Sequence, residues 1–547
     1  MSRILVIGGY GGFGARLVRR LLGAGHEVLV AGRSLEKAAA FCAGLERAEP
    51  VGADRAGGIG MVMARHRPDL VIDAAGPFQA SGYTVPEACI AMRIPYLDLA
   101  DGRDFVSGIA VLDKAAKAAG VAVIAGASSV PALSGAVVRK LADGLERIDR
   151  VEMAISASNR ASAGVSVAAA ILSYVGRPVR LWRGKRWETA YGWQEMQRED
   201  FVTADGVLRG RLVAIADVPD HAIAPERLAG RPAVTFRAGT ELDFQMLALW
   251  LMSWPVRWGW LSSLTRASRW LTPLYRMTLG FGGDRSAMHV TVRGGRTERR
   301  WTLIASDGDG PEIPVLAAEL IAGDMLAGRV VPGARDAWDA LTLERFEPLF
   351  ARLAIGHEIV ERQLPEPLYA RLMGERFAKL PPMVRAMHES DEAVGEGVVE
   401  RGTGPLAGLF AAMMGMPPSG RYPLHVAFAE RDGSETWHRD FGGHRFRSVL
   451  SAKRGLAVER FGPLRFAFDL PSDGEGLRMA FRGWSLFGVP LPRFLGPRIA
   501  AREWQEDGRF RFEVDVAVPL VGRVIRYSGW LLPAGEAADP VPERRSA

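Results

Sequence analysis

Between Ile4 and Val18 the chain reads ILVIGGYGGFGARLV, with five glycines inside seven residues. Gly9-x-Gly11-x-x-Gly14 has the spacing of a dinucleotide cradle, and Gly8-x-x-Gly11-x-x-Gly14 overlaps it. The glycines of such a loop permit a sharp turn, close approach of the backbone to a pyrophosphate, and tight packing of helix on strand. The helix that follows presents free N–H groups and partial positive charge to phosphates. An apolar run precedes the loop and a periodic stretch follows it, which is the strand-and-helix context the motif requires. Gly8, Gly9, Tyr10, Gly11, Gly12, Phe13 and Gly14 are therefore the candidate pyrophosphate-binding residues. The competing reading is a plain strand-to-helix turn.

The second apolar run ends in VLVAGRSLEK. An NAD-dependent enzyme typically places a carboxylate there for the ribose hydroxyls. This chain places Arg33, then Ser34, and Lys37 one helical turn on. A guanidinium fork can clamp a 2′-phosphate and an ammonium can add a point charge, so the expected cofactor is NADP rather than NAD. A further strand end, VIDAAGPF, carries Ala75, Gly76 and Pro77, and ligands in open parallel sheets sit beyond such ends. YLDLADG and GASSVPALS end the next two strands on the same side, and Ser128 and Ser129 fall near the expected nicotinamide or cap the helix after Pro131.

Hydride transfer needs a positioned nicotinamide and substrate, and a proton donor helps. Tyr96, Asp98 and His289 are the candidate catalytic side chains. Two have a quieter alternative: Asp98 as a helix cap or loop brace, His289 on a solvated sheet face. No metal site is expected. The nine histidines are scattered without an HxH or HxxxH pair, and Cys42 and Cys89 are the only thiols. Asp440-Phe441-Gly442 repeats a kinase metal motif without any other kinase element, a chance match.

These residues need a scaffold. Apolar runs at Arg3–Ile7, Glu27–Ala31, Ala48–Gly52, Leu70–Ala74, Tyr96–Leu99 and Val121–Ala125 alternate with helical stretches at Phe13–Leu22, Leu35–Glu46, Ile59–Arg65, Tyr83–Met92 and Asp104–Ala119. That alternation predicts an α/β, Rossmann-type doubly wound parallel sheet. An α+β segment follows, with strands at Arg150–Ser156, Arg180–Trp187, Arg211–Ala216 and Ala233–Ala238, helices at Ala163–Tyr174 and Pro314–Gly328, and a Gly-Gly hairpin in AMHVTVRGGRTERRWTLIA. Beyond about residue 385 the pattern predicts a mostly antiparallel β domain. It opens with a three-strand meander around Asp432-Gly433 and Gly442-Gly443 and continues in strands at Leu464–Asp469, Leu477–Trp484, Arg509–Val516 and Val524–Leu531. Pro365–Pro382 reads as a linker and the tail after Pro533 as loose.

A chain of 547 residues needs more than one core. The apolar share of 48% and charged share of 24% are those of a globular protein. A net charge of +7 spread over this length, with no basic block interleaved with aromatics, gives no reason to expect a nucleic-acid partner. Two distant cysteines and no signal-peptide pattern at Met1–Gly8 point to a reduced, cytoplasmic protein.

Residues 244–280 hold five tryptophans between Trp250 and Trp270. The charge-free run Phe244–Val256 is 13 residues, against about 20 for a membrane span. Two readings stand: a buried helix pair in the second domain or at a dimer interface, or an amphipathic element lying on a membrane with Arg257, Arg266 and Arg269 at the head groups.

The combination GGYGGFG, AGRSLEK, DAAGPF, YLDLADG and GASSVPALS resembles the saccharopine dehydrogenase-like oxidoreductases, closely to about residue 135 and loosely to about 355. WTLIASDGDGPEIPVLAAELIAGDMLAGRVVPGA looks like the segment with which that family returns to its nucleotide-binding domain. SETWHRDFGGHRFRS, ERFGPLRFAFDL and VPLVGRVIRYSGWL resemble a DUF4166 domain. The resemblance implies a Rossmann domain over 1–135, an α+β substrate and dimerisation domain over 136–365 whose residues 310–345 return to the first, and a β-rich domain over 385–533. It implies a nicotinamide-dependent oxidoreductase whose second domain often mediates dimerisation, so a homodimer is expected. With Arg33 and Lys37 the expected function is an NADP-dependent oxidoreductase on a small molecule, apolar if residues 244–280 lie on a membrane. The alternatives are a non-catalytic NADP sensor and a lipid-associated scaffold centred on 244–280.

Overall fold

The computed structural model describes residues 1–79, 81–160, 171–264, 277–413, 415–431 and 433–533. Six strands come from the first 125 residues: β1 (Arg3–Ile7), β2 (Glu27–Gly32), β3 (Ala48–Gly52), β4 (Leu70–Asp73), β5 (Tyr96–Asp98) and β6 (Ala122–Ala125). They lie in the order β3-β2-β1-β4-β5-β6, all parallel, and the strand Gly333–Asp336 adds a seventh parallel member beside β6. The order reverses between β1 and β4, so the crevice of a doubly wound sheet opens there. The strand Gly333–Asp336 thus joins the first sheet through backbone hydrogen bonds.

Helix α1 (Gly12–Gly23) buries Leu17, Val18, Leu21 and Leu22 on the sheet. Its other side carries Arg16 and Arg20, which pair with Glu312 at 3.2 and 2.8 Å, and Arg20 reaches Glu319 at 3.0 Å. The helix Ile313–Leu326 is thereby fixed alongside α1. Helix α2 (Leu35–Cys42) is shorter than expected, because Gly44 just beyond it adopts φ +79°. The single helix expected over Asp104–Ala119 is three pieces: Arg103–Gly108, a 3₁₀ turn at Ile109–Leu112, and Asp113–Ala119.

A second seven-stranded sheet runs Gln197–Thr203, Gly206–Ile215, Ala233–Thr240, Arg150–Ala157, Ser286–Gly294, Thr297–Ala305 and Ile355–Gln363. Its Gly294-Gly295 hairpin is the predicted one. The strand expected over Arg180–Trp187 is instead a hairpin of Pro178–Arg183 and Arg186–Tyr191. Gly184 and Lys185 both take positive φ, which turns the chain back on itself. Both sheets share one hydrophobic core, in which Leu5, Val6 and Val71 join Val151, Val290 and Trp301. The helix expected over Ala163–Tyr174 lies mostly outside the described residues, as do Arg266, Arg269, Trp270, Asp432 and the tail after Pro533.

Two compact units result, one spanning 1–362 apart from the turn 183–186, the other taking that turn and the chain from Gln363. In the second unit eleven antiparallel strands form one sheet. Leu464–Asp469 also pairs with Gly476–Leu486, so ten of them close into a barrel and Val489–Leu491 hangs on the edge. The meander over residues 420–453 is present as predicted. Pro365–Pro382 is not a linker. Its helices Leu368–Met373 and Glu375–Ala378 bury Leu368, Tyr369, Met373 and Phe377 in the barrel core. The barrel encloses a cavity of about 70 Å³ lined by Tyr369, Arg439, Glu459, Glu503 and Tyr527 among apolar side chains.

Candidate active site

The glycine loop leaves β1 and turns directly against its neighbours. Gly8 takes φ +76°, and its N–H donates to Ala31 O at 2.8 Å, which ties the loop to β2. A Cβ on Gly8 would sit 3.0 Å from the Ala75 backbone, one on Gly9 2.9 Å from Val6 O, and one on Gly14 2.1 Å from Gly8 O. No side chain fits at Gly14 without moving the loop. Gly11 caps α1 with no side chain, and the first turn of the helix carries no acid. Its unsatisfied N–H groups and positive end are therefore free for an anion. The loop fits a pyrophosphate.

At the end of β2, Tyr10 packs against Gly32, where a Cβ would meet the ring at 2.4 Å. Its hydroxyl accepts the Ser34 N–H at 3.1 Å. Ser34 caps α2 by accepting the Lys37 N–H at 3.2 Å. Tyr10 and Ser34 thus join the glycine loop to the turn that carries Arg33 and Lys37. Both cations are exposed. Among the described residues neither side chain has an ion pair or hydrogen bond, so both charges are available to a ligand.

The floor of the crevice is set by buried carboxylates. Asp73 ends β4 and accepts the Ala75 N–H at 3.0 Å, which starts the loop carrying exposed Gly76 and Pro77. Arg55 pairs with Asp73 at 2.9 Å, donates to Ala75 O at 2.8 Å, and stacks 4.4 Å from the Phe78 ring centroid. Asp98 ends β5 and accepts the N–H groups of Ala100 at 3.0 Å and Gly126 at 2.7 Å. Burial pushes Asp73 up to about 6 against the charge of Arg55. Burial likewise pushes Asp98 up to about 7 against its two backbone donors, and the charge of Asp73 adds to the rise.

The three candidate catalytic residues are not brought together. Tyr96 and Asp98 share β5 but are fully buried beneath the strand ends, and Asp98 is the loop brace of its quieter reading. His289 lies in the second sheet. Met288, Val290 and Val292 of the same strand face the shared core, while Ala287 faces a separate cluster with Ala154 and Phe201. His289 lies on that second side, 5.3 Å from the Phe201 ring and 3.5 Å from Glu199. It is buried, not solvated, because the strand Gln197–Thr203 folds over it. Burial holds its imidazole below the usual range. Ser128 and Ser129 are nearly buried just past β6, and neither caps a helix with its side chain. Ser134 instead donates to Asp220 at 2.5 Å.

Arg55 is the residue of this site that the motifs do not announce. Its one signal is a lone cation in GADRAG, just past β3, in the row of strand ends that builds the crevice. Among the described residues no group of three or more His, Cys, Asp or Glu could hold a metal ion. Nor is any helix there long and apolar enough to cross a membrane.

Residues 4–124 match the Saccharopine dehydrogenase NADP binding domain family. Residues 380–531 match a domain of unknown function, DUF4166. No curated protein matches the chain in sequence. Among solved structures, apo saccharopine dehydrogenase (L-Glu forming) from Saccharomyces cerevisiae is similar at 12% identity and TM-score 0.44, over 66% of this chain and 100% of that one. Amine dehydrogenase from Mycobacterium smegmatis is similar at 12% identity and TM-score 0.36, over 62% and 95%. The chain thus carries a nucleotide-binding domain of the saccharopine dehydrogenase type, which supports an oxidoreductase with a nicotinamide cofactor, and a DUF4166 domain behind it.

Proposed function

We propose that the chain is an NADP-dependent oxidoreductase acting on a small, apolar molecule in the cytoplasm. One observation carries the choice of NADP: the cation pair Arg33 and Lys37, exposed and unpaired at the end of β2, where NAD enzymes keep a carboxylate. Gly8–Gly14 would hold the pyrophosphate, Arg33 and Lys37 the 2′-phosphate. Ala75, Gly76 and Pro77 would border the nicotinamide ring, which when bound supplies or accepts the hydride. Arg55 and Asp73 hold the Ala75–Phe78 loop in place, and Asp98 holds the loops after β5 and β6, so the floor is set before a ligand arrives.

A homodimer is the assembly that the resemblance implies. The helix Asp243–Arg257 supports an apolar partner. It buries Met246, Ser253 and Val256 but exposes Phe244, Leu247 and Leu251, continued by Trp258 and Trp260. On this reading the stripe is a peripheral membrane contact from which an apolar substrate is reached.

The test is a titration of the purified chain with NADPH and NADH, beside NADPH oxidation with carbonyl, imine and enoyl compounds. Replacing Arg33 by Ala should weaken NADPH ten- to a hundredfold, the value of a charge-assisted contact of about 1.5–3 kcal/mol, and leave NADH nearly unchanged. Equal losses for both nucleotides sink the NADP assignment. Tight NADPH binding without turnover of any compound leaves the sensor reading in its place.

A further inference from the structure

The ten-stranded barrel has two unlike ends. At one end lie the turns at residues 431–434, 453–456, 469–476 and 506–509, together with the helical segment 368–389. That segment closes this end. Arg371 pairs with Glu430 at 2.7 Å, Arg376 donates to Leu470 O at 3.3 Å, and Met383 N–H donates to Gln505 at 2.9 Å. The charge around these turns is mixed, with Glu430, Asp469, Asp473, Glu475, Glu506 and Asp507 beside Arg431, Lys453, Arg454 and Arg509.

The opposite end is built from the connections 401–421, 441–444, 460–465, 486–498 and 518–523. None of these five holds an acid. They carry Arg401, Arg421, Arg460, Arg465, Arg493, Arg498 and Arg523. On adjoining strands Asp440 pairs with Arg445 and Asp515 with Arg523 at 2.8 Å each, and Glu396 pairs with Arg421 at 3.7 Å. The arginines of the rim with no acid partner among the described residues therefore include Arg460, Arg465, Arg493 and Arg498. The same connections expose large apolar side chains. Phe487 is 80% exposed and Phe494 78%; exposed Val489 and Leu495 share their connection, and Leu406 and Leu520 stand on two others. Barrel turns are ordinarily polar, and exposed apolar groups gathered on one face mark an interaction site.

We propose that this end of the barrel docks on the surface of an anionic lipid bilayer. Apolar tips spaced around a rim suit insertion between acyl chains, and arginines among them suit negatively charged head groups. A protein partner of ordinary surface would leave this excess of arginine unmatched. Every residue of the rim belongs to the second unit, so docking there does not depend on the oxidoreductase reading.

The test is flotation of the full chain with vesicles of phosphatidylcholine alone, and with about a third of the lipid replaced by phosphatidylglycerol. The chain should float with the anionic vesicles and lose that binding as salt is raised. Replacing Phe487 and Phe494 together by Ser should weaken it by at least about tenfold. Replacing Arg493 and Arg498 by Ser should cost roughly fivefold for each arginine at low salt. All four side chains are exposed, so the melting temperature should not move. A matching variant with Trp258 and Trp260 replaced by Ser separates this rim from the helix Asp243–Arg257. Binding that survives the rim variants and is lost in the tryptophan variant overturns the proposal, as does no flotation with either vesicle. A rim variant that turns an oligomer into a monomer, with no vesicle binding in the parent chain, identifies a self-interface instead.

Discussion

Asp73 and Asp98 are register partners on the neighbouring parallel strands β4 and β5, and each uses one carboxylate oxygen in the same way. Asp73 accepts the N–H of Ala75 and Asp98 that of Ala100, both at 3.0 Å and both two residues ahead. Two fully buried acids thus turn the chain at adjoining strand ends and shape the crevice floor. An acid at a strand end invites a catalytic reading; here both acids are fully buried and each holds a turn.

Their burial gives the fold a pH dependence of known sign. A carboxyl at about 7 in the folded chain and at about 3.9 unfolded holds its proton more tightly when folded. The stability it contributes is complete below the unfolded value and is lost as the pH rises through about 7. Asp98→Asn should therefore flatten the fall in melting temperature between about pH 5 and 8 relative to the parent chain. A thermal melt series over that range reads the difference, and parallel curves would contradict the shift.

Arg55→Met should expose the role of the cation. It leaves Asp73 buried beside no opposite charge, at a cost of roughly 3 kcal/mol. The loss should be larger at about pH 8 than at pH 5, where Asp73 takes up a proton. Urea unfolding at the two pH values measures it, and NADPH affinity should fall with it because the Ala75–Phe78 loop loses its clamp.

Gly14→Ala places a methyl 2.1 Å from Gly8 O. Overpacking of this kind costs about 1–3 kcal/mol, and here relief requires the glycine loop to move. NADPH binding followed by nucleotide fluorescence should weaken by more than about tenfold, more than the drop in stability alone explains. Retained affinity would show that the loop does not touch the cofactor.

Tyr10→Phe keeps the ring on Gly32 and removes only the acceptor of the Ser34 N–H. The cost should be about 1 kcal/mol, read as a severalfold weaker affinity for NADPH with little change in melting temperature. A large fall in melting temperature would make Tyr10 a core residue rather than a link between the two halves of the cofactor site.

The parallel sheet is legible in the sequence because its strands are buried on both faces and so read as short apolar runs between helices. Glycine spacing and the cation at Arg33 are equally local signals. What escapes is non-local. Arg55 acts on a strand end twenty residues away. The burial of His289 is hidden because the strand that covers it, Gln197–Thr203, is polar in sequence. Prolines at 365, 367, 381 and 382 suggest a linker, while Leu368, Tyr369, Met373 and Phe377 between them fill the barrel core. Closure of that barrel depends on pairing Glu392–Arg401 with Gly522–Pro533, which no short window reveals.

The strand Gly333–Asp336 has a consequence for how the chain is made. It pairs with β6 although some two hundred residues of other structure intervene. Until residue 336 has left the ribosome, β6 has a bare edge of unpaired N–H and C=O groups, a template for wrong pairing. A fragment cut at about residue 135 would carry every cofactor motif and still lack a side of its sheet. The nucleotide-binding domain therefore stays incomplete until residue 336 is made, although its sequence comes first.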